Sequence, residues 1–305
     1  MAPIRSMKEL VEQARARGPA RLVVPAAEAE SALAAAVEAA RQGLVLPLLL
    51  GDRHALAARL AALGAEPRRF VLVHEPDDAR AVLLAVRLAR IGEAEIVLKG
   101  RCPTGQLLRA VLDRDTGLRR GSLLSDVLVT EHPLGEGRLV GVTDGGVNVA
   151  PGLAEKRAIV ENAVRVFRRL GVARPRVAAL CAVETVEPGM PCTREARALQ
   201  EMAVRGEIEG CDLLGPVALD GALSLEAARA KGIEHPVAGR ADVLLAPTIE
   251  VGNALGKSFT WLARLPVGHV VEGARAPVLI PSRAEHALDK LCSIALGVLA
   301  AREEG

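Results

Sequence analysis

Val278-Leu279-Ile280-Pro281-Ser282-Arg283-Ala284-Glu285-His286 reads as a short apolar strand that stops at a proline and a serine and then opens the last helix of the chain. A strand running directly into a helix is the repeating half of a parallel α/β architecture. The same turn places exposed helix N–H groups, the Ser282 hydroxyl and the Arg283 guanidinium together. Orphan amides and the helix dipole both favour negative charge, so this is a site for a phosphate-sized anion. Ser282-x-x-Glu285 is also a capping box, by which any helix satisfies its first amides. The stretch alone leaves both readings open.

Outward from it, the strand-then-helix pattern repeats over nearly the whole chain. Strands are expected at Leu22–Pro25, Leu44–Leu50, Phe70–His74, Glu95–Leu98, Ser125–Thr130 and Leu139–Thr143. Others are expected at Val177–Ala182, Val243–Pro247, His269–Val271 and Val278–Ile280. Helical periodicity fills Ala27–Gln42, Asp78–Ile91, Glu155–Leu170 and Thr193–Val204. Such alternation implies mainly parallel sheets covered by helices on both faces, with ligands at the carboxyl ends of the strands.

The region Gly117 to Gly146 breaks the rhythm, with two strand patterns, no full helix between them, and a Gly-rich turn at Asp144-Gly145-Gly146. A domain crossing is placed near residue 120. The final helix, read as amphipathic, returns to the first domain. The expected division is 1–120 with 269–305 as a discontinuous domain, and 121–268 as the second.

The 305 residues suit two ordinary domains, and a composition half hydrophobic and a quarter charged is globular. A net charge of +2, three Phe, one Trp and no Tyr offer neither a basic surface nor a stacking platform, which argues against nucleic acid. Six Lys stand against 33 Arg, so a typical Arg is background and a Lys kept near a loop carries slightly more weight. The five scattered Cys form no C-x-x-C and fit a reducing cytoplasm as small buried hydrophobes, with Cys102 and Cys192 as candidate loop thiols. The N-terminus reads as an amphipathic helix opening at Ser6-x-x-Glu9, not as a targeting core, and Leu291–Ala301 is too short to span a bilayer. A cytoplasmic protein without a membrane partner is expected.

Several segments imitate known motifs. Gly252-Asn253-Ala254-Leu255-Gly256-Lys257-Ser258 is read as following a strand and opening a helix, but three residues separate its glycines where a P-loop needs four. Either Asn253 and Lys257 meet an anionic ligand, or this is a helix start with a solvated lysine. Gly135-x-Gly137 precedes a strand and suits a hairpin turn. Asp242 has no second Asp four residues on, which counts against a paired-carboxylate metal site. Arg109, in the helix after Lys99-Gly100, is an anion contact or a surface arginine. Asp144 to Asn148 and Gly215 to Asp220 are read as polar turns after strands.

Taken together, the segments resemble the phosphate acetyl/butyryltransferase family. They are Leu98-Lys99-Gly100 with Thr104 and Leu107-Leu108-Arg109, Thr143-Asp144 with Asn148 to Pro151, and Ala182-Val183-Glu184 with Pro188 and Pro191. Gly215-Pro216 with Asp220, Pro236 to Gly239 with Ala241-Asp242, Gly252-Asn253 with Lys257, and Pro277-Val278 with Ser282-Arg283 complete the set. This likeness runs from about Ile96 to Ala300 and is nearer the butyryl branch. It implies two α/β/α domains of isopropylmalate-dehydrogenase-like architecture with the active site in the interdomain cleft. The implied reaction is reversible acyl transfer between coenzyme A and inorganic phosphate, with acyl-CoA and phosphate as small-molecule substrates. No metal, flavin or nicotinamide is implied. Arg283 would bind phosphate, Ser282 would hydrogen-bond developing charge, and Arg109 would add a second phosphate contact. Asn253, Lys257, Asp144 and Asn148 would line the substrate site.

Asp289 stands seven residues after Ser282, where the acetyl branch has a base that generates the coenzyme A thiolate. It is either that base or a solvated residue of the last helix. His286 replaces a serine common in the family, and its imidazole either perturbs the site or points into solvent. Two other readings compete: a non-catalytic acyl-CoA or phosphate sensor, and a dehydrogenase of related fold, which lacks its paired Asp and its cofactor fingerprint here. Acetyl and butyryl are not distinguished, and a homodimer is compatible with the apolar helix faces.

Overall fold

Apolar runs of two to seven residues become strands, most of their side chains buried, and the amphipathic stretches between them become the covering helices. The computed structural model describes residues 2–120, 123–282 and 284–301. Two units divide the chain: a terminal unit, Met7–Ser122 with Pro266–Gly305, and a central unit, Met1–Ser6 with Leu123–Leu265.

The terminal unit begins with α1 (Met7–Ala16), β1 (Ala20–Val24), α2 (Glu30–Arg41), β2 (Val45–Gly51), α3 (Arg53–Ala62) and β3 (Val71–His74). It continues through α4 (Asp78–Arg90), β4 (Ile96–Leu98) and α5 (Thr104–Val111). The α1 helix buries Met7, Leu10, Val11 and Ala14, an i, i+3, i+4, i+7 stripe. Asp52 and Asp77 cap α3 and α4 through their side chains, accepting N–H groups three residues on.

The central unit holds β5 (Ser125–Glu131), β6 (Leu139–Thr143), α6 (Leu153–Arg169), β7 (Arg176–Leu180), α7 (Pro191–Val204) and β8 (Asp212–Val217). Then come α8 (Leu219–Leu223), α9 (Leu225–Ala230), β9 (Val243–Leu245) and α10 (Ile249–Trp261). Strands β5 and β6 form the expected hairpin, with Gly135 and Gly137 in its turn at φ 72° and 62°. Their antiparallel pair is followed by parallel β9, β7 and β8 in the order β5-β6-β9-β7-β8. The first six residues belong to this unit, not to the domain that follows them in sequence, because the Ile4 N–H donates to the Leu170 carbonyl.

The chain then returns through β10 (Val267–Glu272), β11 (Val278–Leu279) and α11 (Ala287–Ala301). In the terminal unit the order is β3-β2-β1-β4-β11-β10, parallel except for β10 against β11. Helix α11 is not amphipathic as expected: Asp289 through Ala300 are buried without interruption. A helix apolar on every side belongs inside a domain, and this one packs against α1, α2 and β10. No helix among the described residues is long and apolar enough to cross a membrane.

Two local expectations change. Gly215, Pro216 and Val217 belong to strand β8 itself, which the sequence reading left out. Proline reads as a turn signal, yet β8 is the last strand of its unit, where a missing N–H leaves no ladder bond unmade. Gly252 to Ser258 lie inside α10 and not at its start.

Candidate functional site

In the terminal unit, β4 and β11 are parallel neighbours, so the loops after them leave the sheet at the same end. The turn after β11 closes on itself. The Glu285 carboxylate accepts the Ser282 N–H at 2.9 Å, and the Ser282 hydroxyl accepts the Ala284 N–H at 3.4 Å. That is the reciprocal pattern of a capping box, but α11 begins only at Ala287. The Ser282 turn is therefore a separate structure ahead of the helix. Arg283 lies outside the described residues.

The helix itself is capped by Asp289. Its Oδ2 accepts the His286 N–H at 3.0 Å and its Oδ1 accepts the Val267 N–H at 3.0 Å. Asp289 is 3% exposed, so it is not the solvated residue of the sequence alternative. His286 is the exposed residue of the two. Burial pushes the Glu285 carboxyl above its ordinary value, partly opposed by His269. Its Oε2 is buried and has no hydrogen-bond partner among the described residues.

The loop after β4 is held against the loop after β1. The Arg101 N–H donates to the Ala26 carbonyl at 2.9 Å, and a Cβ on Gly100 would lie 2.0 Å from the Pro25 oxygen. Glycine is required there by close backbone approach. Arg101 makes a bidentate pair with Asp78 at 2.9 and 2.6 Å. Arg109, in the last turn of α5, is exposed. Cys102 lies in this loop as expected but is fully buried, its thiol pushed up by desolvation, whereas Cys192 falls inside α7 and not in a loop.

In the central unit Asp144 organises the turn after β6. Its two oxygens accept the N–H groups of Gly146, Val147 and Asn148 and the Asn148 side-chain amide. Burial and the neighbouring Asp126 charge push the Asp144 carboxyl up, against those hydrogen bonds. The Asn148 amide also reaches the Leu124 carbonyl at 2.8 Å. Asn253 donates to the Gly145 carbonyl at 3.0 Å, which joins α10 to this turn. Lys257 is exposed one helical turn beyond Asn253. The two glycines of the P-loop imitation serve packing: a Cβ on Gly252 would lie 2.3 Å from the Asp144 oxygen, and one on Gly256 would lie 2.9 Å from the Leu128 side chain.

Asp242 is taken by a bidentate pair with Arg176 at 2.9 and 2.8 Å. Asp220 and Glu184 are joined by Lys231, whose Nζ lies 2.7 and 2.8 Å from them. Cys181 is pushed up to about 12 by burial and then by Cys192, so this thiol is not a poised nucleophile.

Residues 73–298 match the family model described as Phosphate acetyl/butaryl transferase. The chain belongs to this family. It is similar to the phosphate butyryltransferase of Clostridium acetobutylicum, 39% identical over 98% of this chain and 99% of the relative. It is also similar to the phosphate acetyltransferase of Rhizobium meliloti, 40% identical over 95% of this chain and 92% of that one. Among solved structures, a branched-chain phosphotransacylase from Enterococcus faecalis V583 superposes with a TM-score of 0.82 at 29% identity, covering 93% of this chain and all of the other. The likeness to relatives of the family thus includes the N-terminal third, where the motif segments were silent.

As a phosphate acetyl/butyryltransferase family member, the chain carries polar groups that motif reading passed over. Lys290 is 4% exposed in the first turn of α11, and Lys156, 5% exposed, pairs with Glu195. The signal available was the rarity of lysine in an arginine-rich chain. Its positions at Lys99, Lys156, Lys231 and Lys290 all sit in specific polar surroundings.

Proposed function

We propose that this chain transfers a short-chain acyl group reversibly between coenzyme A and inorganic phosphate. A phosphate oxygen attacks the thioester carbonyl carbon, the carbon–sulfur bond breaks, and acyl phosphate and the coenzyme A thiol result. Both substrates are anionic, so positioning and positive charge supply most of the rate. The observation that carries the reading is the self-closed Ser282 turn at the end of β11, in a chain of this family.

In this reading Arg283 binds phosphate, Arg109 adds a second contact, and the Ser282 hydroxyl donates to charge developing at the reacting centre. The two backbone bonds on Asp289 support a structural role for it, holding the start of α11, over that of a base. Asp144 and Asn148 spend their polar atoms on their own turn, which supports the same kind of role. Asn253 is drawn to that turn, and Lys257 remains the flexible cation of α10. The thioester is a substrate, and the reaction calls for no metal, flavin or nicotinamide. A cytoplasmic location belongs to the reading. So does a homodimer: Trp261 and Leu262, 46% and 81% exposed at the end of α10, give a second copy apolar surface to cover, which sedimentation equilibrium checks.

Phosphate-dependent release of coenzyme A thiol from acetyl-, propionyl- and butyryl-CoA tests the transfer and ranks the donors. Release without phosphate, or binding of acyl-CoA without turnover, would replace the transferase with a hydrolase or a sensor.

A further inference from the structure

A cavity of about 550 Å³ opens within the terminal unit where β1, β4 and β11 end. The first turn of α2, Lys99, Gly100, Pro281 and Lys290 line it. The N-cap of this twelve-residue helix is Ala29, which has no side chain to accept its first N–H groups. The Lys290 side chain is almost wholly buried, and among the described residues its ammonium donates to the Glu285 carbonyl. Among the described residues no carboxylate forms an ion pair with it. Glu285, whose charge Lys290 senses, is itself held toward its neutral form by burial. Arg101, also on the wall, is engaged by Asp78, and Glu30 is exposed.

A buried ammonium without an anionic partner is costly, and a carbonyl oxygen offsets only part of that cost. Uncapped helix amides facing the same space add partial positive charge. The loops after β1 and β4, which carry two of the walls, are held against each other at Gly100 and Arg101. Ala26 in the first of these loops even takes φ 47°, a conformation that only a well-braced loop holds.

We infer that this cavity binds a phosphate group, with Lys290 and the first turn of α2 as its principal contacts. The inference rests on the transferase reading for its two candidate sources, inorganic phosphate and the nucleotide phosphates of coenzyme A. Ser31, exposed at the cavity in the first turn of α2, provides a variant that leaves the buried lysine in place. A carboxylate there suits the helix dipole and opposes an anion in the cavity.

Calorimetric titration with inorganic phosphate, 3′,5′-ADP and pantetheine, without turnover, tests the inference on the wild type, Lys290→Met, Lys290→Arg and Ser31→Glu. Lys290→Met and Ser31→Glu should each weaken one of the two anions about ten-fold or more, Lys290→Arg less, and pantetheine not at all. Loss confined to phosphate assigns the cavity to the acyl acceptor, and loss confined to 3′,5′-ADP assigns it to coenzyme A. Wild-type affinities in folded Ser31→Glu would overturn the inference, whether or not Lys290→Met folds, and so would a wild type that binds neither anion. Because binding is read directly, Lys290-dependent anion binding in a chain without acyl transfer would sink only the transferase reading.

Discussion

Asp289 accepts the Val267 N–H at 3.0 Å, so the first turn of α11 is tied to the start of β10 by a buried carboxylate. Its other oxygen holds the His286 N–H. Asp289→Ala strands two backbone donors and should cost about 2–4 kcal/mol of stability, read by urea denaturation. Turnover of the folded fraction should change little. A loss of about 10²-fold or more with an unchanged melting temperature would make Asp289 the base after all.

Glu285 yields a pH prediction. Burial raises its folded value above the ordinary 4.5, so the folded state holds this proton more tightly than the unfolded chain does. The associated stability is complete below the unfolded value and is lost as pH rises through the folded one. Glu285→Gln keeps an acceptor for the Ser282 N–H and removes the titration. Its advantage over wild type should grow from pH 4.5 toward neutrality in thermal melts. Parallel curves for the two proteins would contradict this.

Gly252 approaches the Asp144 carbonyl so closely that a Cβ would sit 2.3 Å from its oxygen. Alanine adds about 1 kcal/mol of helix propensity. The clash outweighs it, because both groups are backbone and neither swings away. Gly252→Ala should lose about 2 kcal/mol or more by denaturant titration. A variant as stable as wild type would mean that α10 and the Asp144 turn are not in this contact.

Arg283→Ala should lower kcat/KM for phosphate by about 10²–10³-fold with an unchanged circular-dichroism melt. Ser282→Ala should lower turnover while stability stays nearly constant, since the short bond to Glu285 comes from the Ser282 backbone and not its hydroxyl. Unchanged turnover with a lower melting temperature would leave the hydroxyl with a capping role alone.

Local pattern was a good guide wherever one stretch of chain contains its own reason. Leu139–Thr143 was placed residue for residue, and the Gly135-x-Gly137 hairpin followed from glycines at positive φ. Strand β8 was missed because Pro216 speaks for a turn locally, while its tolerance comes from a sheet-edge position that no window displays. The Ser282 turn was legible as a capping box, but not that it would close five residues ahead of the helix.

The sequence by itself determined the alternation of strand and helix, the mainly parallel pairing and the family, because apolar periodicity and short motifs are properties of neighbouring residues. Tertiary structure alone decided that α11 is buried from Asp289 to Ala300, that Gly252 is a contact point against the Asp144 turn, and that Asp289 is spent on Val267. It also decided that Lys290 and the first turn of α2 line one cavity. Those outcomes join residues 22 apart for Asp289 and Val267, and far more for the others. Burial, close approach and an unpaired charge exist only once distant segments have met.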